Sequence, residues 1–272
     1  MTVYVIADAG SNVVHDYGTA CNLISTAAHA GADAYKLQLF RASDLYPLGT
    51  AQWEAASAAE LDSDWLDALA AECAIQGIDF LCSAFAPWAV DAIDPYVRAH
   101  KVASLELTDT ELLRHVAAKR KPVILSTGAA SAEEVAIARQ IIESSWWGAK
   151  LCVLQCTAAY PAPIEDLDLA ARPQLGSCYW LSDHTMSVSV PSLAVALGAS
   201  VIEKHLRPAG NPPSPKPPDW DHSLEPSQFA EMVRRIRVAE SALGQPVKRV
   251  RPSEEPLRPW QHRPGGLRGT SN

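Results

Sequence analysis

Lysines, histidines and serines recur in this sequence where short apolar runs end, and their types suit the capture of a small anion beside a metal ion. Lys36 and Gln38 share one face of the run 34–39, and Lys101, Ser104 and Glu106 occupy 101–106. Asp8, Ser83, Ser126 and Ser182 each close an apolar stretch. A buried ammonium loses much of its hydration energy unless an anion meets it. Two lysines from separate runs, with hydroxyl donors around them, therefore favour a bound phosphate and carboxylate. The plainer reading makes each lysine a structural ion pair with Asp8, Glu106 or Glu203.

His184 and His205 end two successive runs, which can set two imidazole nitrogens on one divalent ion and leave room for water and substrate oxygens. Asp183 and Glu203 are placed to orient the imidazoles, and Asp219 or Asp221 to add a carboxylate. Gln155, Thr157 and Tyr160 follow another run. A single histidine beside a core strand is more often structural; the pairing is what favours a metal.

Eight β-branched, apolar runs predict the strands that must position these groups: 3–8, 34–39, 80–83, 101–105, 123–126, 151–155, 179–182 and 201–205. Between them, 19–30, 64–76, 88–96, 109–118, 132–144 and 190–197 carry helical spacing. The alternation predicts an α/β fold, a (β/α)8 TIM barrel over 1–244 with its active site at the carboxyl ends of the strands. Asp109 and Ser131 read as N-caps, the latter with Glu134 three residues on, while Gly31, Gly77 and Gly198 follow helices. The crossover 161–176 is proline-rich and weakly helical, and five prolines in 211–218 require an extended loop. A helix over 226–243 follows, then an Arg/Pro/Gly-rich tail at 245–272, expected to be draped or disordered.

Composition limits the function class. At 272 residues, 48% hydrophobic, with net charge -8 and no basic cluster ahead of the tail, the chain suits one core and small-molecule chemistry, with no nucleic-acid or membrane partner. No run approaches the ~20 apolar residues of a membrane span, and the start lacks the features of a secretory signal, so the expected location is the cytosol. The six cysteines form no C-x-x-C pair and read as reduced packing residues. Cys156, at the end of a run near the predicted site, is the one to watch.

With these residues in place, the sequence resembles the N-acetylneuraminate (sialic acid) synthase family, which includes legionaminic and pseudaminic acid synthases. The resemblance is carried by IADAG from Ile6, AGADAYKLQ from Ala30, GIDFLCSAF from Gly77, KVASLE from Lys101 and KPVILSTG from Lys121. QCTAAYPAPIEDLDL from Gln155, LSDHT from Leu181, AVALGASVIEKHL from Ala194 and DHSLEP from Asp221 continue it. It implies that phosphoenolpyruvate is held by Lys36, Gln38, Ser83, Lys101, Ser104, Ser126 and Ser182. It implies a divalent ion, manganese first and magnesium or cobalt as alternatives, on His184 and His205, and a sugar acceptor near Tyr160 and Asp219. The implied reaction joins carbon 3 of phosphoenolpyruvate to a metal-polarised aldehyde; water then adds at carbon 2 and phosphate leaves.

Departures from the family fall mostly on the acceptor side, one of them, Ala158, at a position that contacts phosphoenolpyruvate in the family. Asp8 stands where glutamate is usual, and the N-H-x-G loop reads Asn12-Val13-Val14-His15. Ala158 replaces an asparagine or serine, and Gln155 a histidine. The family's C-terminal antifreeze-like domain, which supplies an acceptor-binding arginine across a dimer, is not found in these residues. A divergent acceptor is therefore expected, with Arg207, Lys216, Arg258 or Arg263 as substitute cations, and a homodimer is a weaker expectation. Two other readings compete: a metal-dependent aldolase or lyase of pyruvate-like acids, and a non-catalytic binding relic.

Overall fold

Side chains alternate along a strand, so residues two apart share a face and a closed sheet sorts its sequence into an inside and an outside. The computed structural model describes residues 2–146, 148–171 and 180–261. Its strands are β1 (Tyr4–Asp8), β2 (Ala34–Leu39), β3 (Asp79–Ala84), β4 (His100–Val102), β5 (Val123–Ser126), β6 (Leu151–Cys156), β7 (Trp180–Asp183) and β8 (Val201–His205). They pair in parallel in sequence order and close between β8 and β1, giving the predicted barrel.

Outward residues such as Val5, Tyr35, Leu37, Cys82, Leu125 and Ile202 join helix residues such as Leu23, Leu69, Val90, Leu112 and Ile142 in one core. A separate cluster of Ile6, Ala34, Leu81, Ile124, Leu154 and Val201 fills the barrel interior. Two residues after each of these come Asp8, Lys36, Ser83, Ser126, Cys156 and Glu203; Lys101 follows Ala99, and Ser182 follows Trp180, at the same interval. The period of two thus stacks a polar ring on an apolar plug, at the end of the barrel where the strands finish.

The covering helices are α1 (Tyr17–His29), α2 (Ala42–Leu45), α3 (Ala51–Ser57), α4 (Leu66–Gln76), α5 (Pro87–Ile93), α6 (Thr110–Ala118), α7 (Ala132–Ser145), α8 (Val190–Ala196) and α9 (Pro226–Leu243). Asp109 caps α6 by accepting from Glu111 and Leu112 N–H, and Ser131 and Glu134 form a reciprocal capping box on α7. Gly77 ends α4 in the left-handed region, at φ +76°, where a glycine is least strained.

Three expectations change. β4 stops at Val102, and Ser104–Glu106 is a 3-10 turn, closed by hydrogen bonds from Glu106 N to Ala103 O and Leu107 N to Ser104 O. α1 starts at Tyr17, ahead of the predicted 19, because Asp16 caps it through Gly18 N. The short helices α2 and α3 were not anticipated; they pack through their own cluster of Phe40, Ala42, Ala56 and Ala59.

The predicted strand start at 179, the end of the proline-rich crossover, Cys178, Arg263 and the last part of the tail lie outside the described residues. Contacts divide the chain into two units, Met1–Ala242 and Leu243–Asn272. In the second, a 3-10 turn at Pro252–Leu257 and the short α10 (Arg258–Gln261) occupy part of a stretch read as irregular. Among the described residues no helix is long and apolar enough to cross a membrane.

Candidate active site

The polar ring is an ion-paired network. Lys36 Nζ lies 2.7 Å from Asp8 Oδ2, 3.1 Å from Ser83 Oγ and 3.9 Å from Glu203 Oε2. Lys101 Nζ lies 3.7 Å from Glu203 Oε1 and donates to Ser126 Oγ at 2.7 Å, while Ser182 Oγ donates to Glu203 Oε1 at 2.9 Å. Burial works against the Lys36 ammonium, but Asp8 and Glu203 outweigh it and hold its pKa above the usual lysine value. Burial also lowers the Lys101 pKa, Glu203 only partly opposing it and Lys36 adding repulsion.

Neither lysine is therefore a lone cation, and the inference from unpaired charge to a bound anion is corrected: two carboxylates already face two ammonium groups. What remains for a ligand is donor capacity. Ser83 and Ser126 accept from the lysines, so each keeps its own hydroxyl proton to donate. These groups, with Gln38, Ser104, Ser182, Tyr160, His184 and His205, line one small cavity.

Beside it stand the histidines. His184 Nδ1 is 3.0 Å from the Thr157 carbonyl oxygen, which can only accept, so Nδ1 carries the proton and Nε2 is left as the possible ligand. Burial, with His205 close by, depresses the His184 pKa to about 3, and burial likewise lowers that of His205. His205, Asp219 and His222 each offer a ligand atom within 4.8 Å of the others'. His205 Nδ1 is buried without a hydrogen-bond partner. A neutral, partly unsatisfied imidazole beside a carboxylate suits a divalent ion.

Asp219 is fixed by Ser11, whose N–H and hydroxyl donate to Oδ2 at 2.7 and 2.9 Å. Burial opposes its charge, yet His205, His222 and Ser11 keep its pKa below the usual carboxylate range. Gly10 makes this packing possible: at φ +51°, an added Cβ would stand 2.2 Å from Asp219 Oδ2.

The mouth continues into a cavity of about 390 Å³ whose wall includes Phe40, Leu45, Tyr46, Ala55, Ala56, Ala59 and Phe85, with Glu106 and Asp219 as its charged members. Burial raises the Glu106 pKa to about 7. Tyr160 spans the two cavities and lies against the His184 and His222 rings, at centroid distances of 4.5 and 4.8 Å.

Of the residues singled out in the sequence, Asp8, Lys36, Gln38, Ser83, Lys101, Ser104, Glu106, Ser126, Tyr160, Ser182, His184, His205 and Asp219 line these two cavities. Thr157 does not: its hydroxyl donates to the Asp166 carbonyl, and only its own carbonyl reaches the site. Asp183 orients no imidazole. It occupies the opposite face of β7 from Ser182 and pairs with Lys204 at 2.8 Å, both fully buried behind the barrel wall. Asp221 pairs with Lys216, and Arg207 with Glu225 while covering the Trp220 ring; neither Lys216 nor Arg207 lines either cavity. Ser11 and His222 were missed. For His222 the available signal was the Asp-x-x-His spacing from Asp219, just after the eighth strand.

A parallel barrel with ion-paired lysines, hydroxyls and converging imidazoles at the ends of its strands is a TIM-barrel enzyme. The chain belongs to the NeuB family, whose sequence model matches residues 23–248. It is 34% identical to the N,N'-diacetyllegionaminic acid synthase of Legionella pneumophila, covering 95% of this chain and 78% of that one. It is 30% identical to the N-acetylneuraminate-9-phosphate synthase of Mus musculus, covering 92% and 74%. The structure of N-acetylneuraminic acid synthetase from Leptospira borgpetersenii serovar Hardjo-bovis, in complex with citrate, superposes with a TM-score of 0.87 at 27% identity, covering 96% of this chain and 92% of that one.

Proposed function

We propose that this enzyme condenses phosphoenolpyruvate with a sugar aldehyde, giving a 2-keto-3-deoxy sugar acid and inorganic phosphate. The observation that supports it most is the single cavity joining Lys36, Lys101, Ser83 and Ser126 to His184 and His205. The lysines and the free hydroxyl protons receive the phosphate and carboxylate of the donor, and the larger cavity takes the acceptor. Carbon 3 of the donor forms a bond to the aldehyde carbon, water adds to the cation left at carbon 2, and the carbon-oxygen bond to phosphate breaks. His205 and Asp219, whose ligand atoms lie within 4.8 Å of each other and of His222, would with His184 beside them hold a divalent ion, which when bound polarises the aldehyde oxygen as a Lewis acid. Lys36 and Lys101 offset the negative charge of the departing phosphate.

The acceptor wall is largely apolar, with Glu106 and Asp219 at its edge. That favours an aldose carrying acyl or deoxy groups over a fully hydroxylated one. The cytosol, where this donor is made, is the matching compartment. Phosphate release from phosphoenolpyruvate, measured over a panel of acylated and plain aldoses with manganese present, tests the reading. No phosphate with any aldehyde sinks it.

A second reading, a metal-dependent aldolase of pyruvate-like acids, draws on one observation: both lysines already have carboxylate partners. It predicts aldol cleavage or addition with pyruvate and no phosphate product, so the same assay separates the two.

A further inference from the structure

We propose that His222 is a third imidazole ligand, completing with His184, His205 and Asp219 a three-nitrogen, one-carboxylate site that selects cobalt, zinc or ferrous ions over manganese and magnesium. Among the described residues His205, Asp219 and His222 offer ligand atoms within 4.8 Å of one another, the His205 and His222 ring centroids being 4.7 Å apart; the His184 ring stands beside them, 5.5 Å from His205 and 5.9 Å from His222, and would close on the ion from there. His222 is 2% exposed, on the 3-10 turn Trp220–His222 that follows the proline-rich loop.

Its Nε2 lies 3.3 Å from Asp219 Oδ1, yet it is buried without a hydrogen-bond partner, as is His205 Nδ1. His222 Nε2 and Asp219 Oδ1 face each other at ion-pair distance in poor hydrogen-bond geometry, an arrangement that a shared cation could bridge by taking both as ligands. His205 Nδ1 has no hydrogen-bond partner among the described residues, and a buried nitrogen left so is better explained by a ligand it would hold than by packing. Asp219 is aimed from the other side: Ser11 occupies Oδ2, leaving Oδ1 toward His222.

The ligand count sets the preference for the ion. Two imidazoles leave most of the coordination sphere to water and substrate oxygens, which manganese and magnesium tolerate. A third nitrogen shifts the set toward ions that favour imidazole and accept four or five ligands. This inference rests on reading the barrel mouth as a metal site, not on the condensation reaction.

Cobalt alone, and separately manganese alone, titrated into the metal-stripped full chain tests it without turnover. The expected result is one cobalt per chain with the strong visible absorption of four- or five-coordinate geometry. His222→Ala should weaken cobalt binding at least about 10-fold, and manganese binding by less. Unchanged cobalt affinity and spectrum in His222→Ala, while His184→Ala and His205→Ala lose them, overturns the role of His222 and leaves the metal site standing. No loss in any of the three overturns both. If His222→Ala does not fold, histidine-selective NMR of the wild-type chain titrated with zinc decides: the His222 imidazole shifting together with those of His184 and His205 supports the proposal, and an unshifted His222 refutes it.

Discussion

Asp8 and Lys36, neighbours in the register of β1 and β2, bring Oδ2 and Nζ to 2.7 Å with both side chains almost wholly buried. The pair ties the first two strands together at the mouth and neutralises a cation on the cavity floor. Removing the carboxylate leaves Lys36 with the Ser83 hydroxyl at 3.1 Å and Glu203, at 3.9 Å, as its one remaining close carboxylate. Asp8→Ala is expected to lower stability by about 3 kcal/mol, the cost of an uncompensated buried charge. Urea unfolding measures it, and a loss below ~1 kcal/mol means that water or Glu203 has taken over the pairing.

Lys101 is the less well compensated of the two lysines and so the better placed to receive a donor anion. Lys101→Met should reduce kcat/KM for phosphoenolpyruvate roughly 100-fold, equivalent to ~2.7 kcal/mol, while cobalt binding stays intact. Equal losses in both would place Lys101 in the architecture of the mouth rather than in donor capture.

Glu106 sets a pH dependence. Its carboxyl titrates at about 7 in the folded chain against 4.5 ordinarily, because burial disfavours the charge. Between those values the unfolded chain has released the proton and the folded chain still holds it, so stability falls as pH rises from 4.5 towards 7 and levels off above. Glu106→Gln should remove that slope. Thermal melts across the range check it, and identical slopes in the two proteins would exclude Glu106 as the source.

Gly10→Ala forces a left-handed backbone on a residue with a Cβ, which costs roughly 1–2 kcal/mol, and drives that Cβ into Asp219. Both stability and cobalt affinity should drop. If only the melting temperature moves, Asp219 has shifted without loss to the ion.

The period of two made most of this site legible. Lys36 with Gln38, and Glu203 with His205, can be assigned to the barrel interior from spacing alone. The same rule, applied without fixing the parity of β7, misplaced Asp183, which sits one residue from Ser182 and so on the other face. The hydration cost of two buried lysines is legible in the sequence, but which carboxylate arrives opposite which ammonium is not. Thr157 failed because the loop after β6 folds back, so its hydroxyl meets Asp166. Ser11 and His222 lie in turns, where no periodicity points a side chain, and only the closing of β1 against β8 brings their loops together.

The apolar wall of the larger cavity comes largely from α2, α3 and their flanks, held by a cluster distinct from both the main core and the barrel interior. Substitutions at Leu45, Ala55 or Ala59 would therefore recarve the cavity proposed for the acceptor while the eight strands and the lysines they carry stay where they are. On the proposed function, selection could then tune the acceptor and spare the donor chemistry, so a change of substrate within this lineage should first show as sequence drift between β2 and α4.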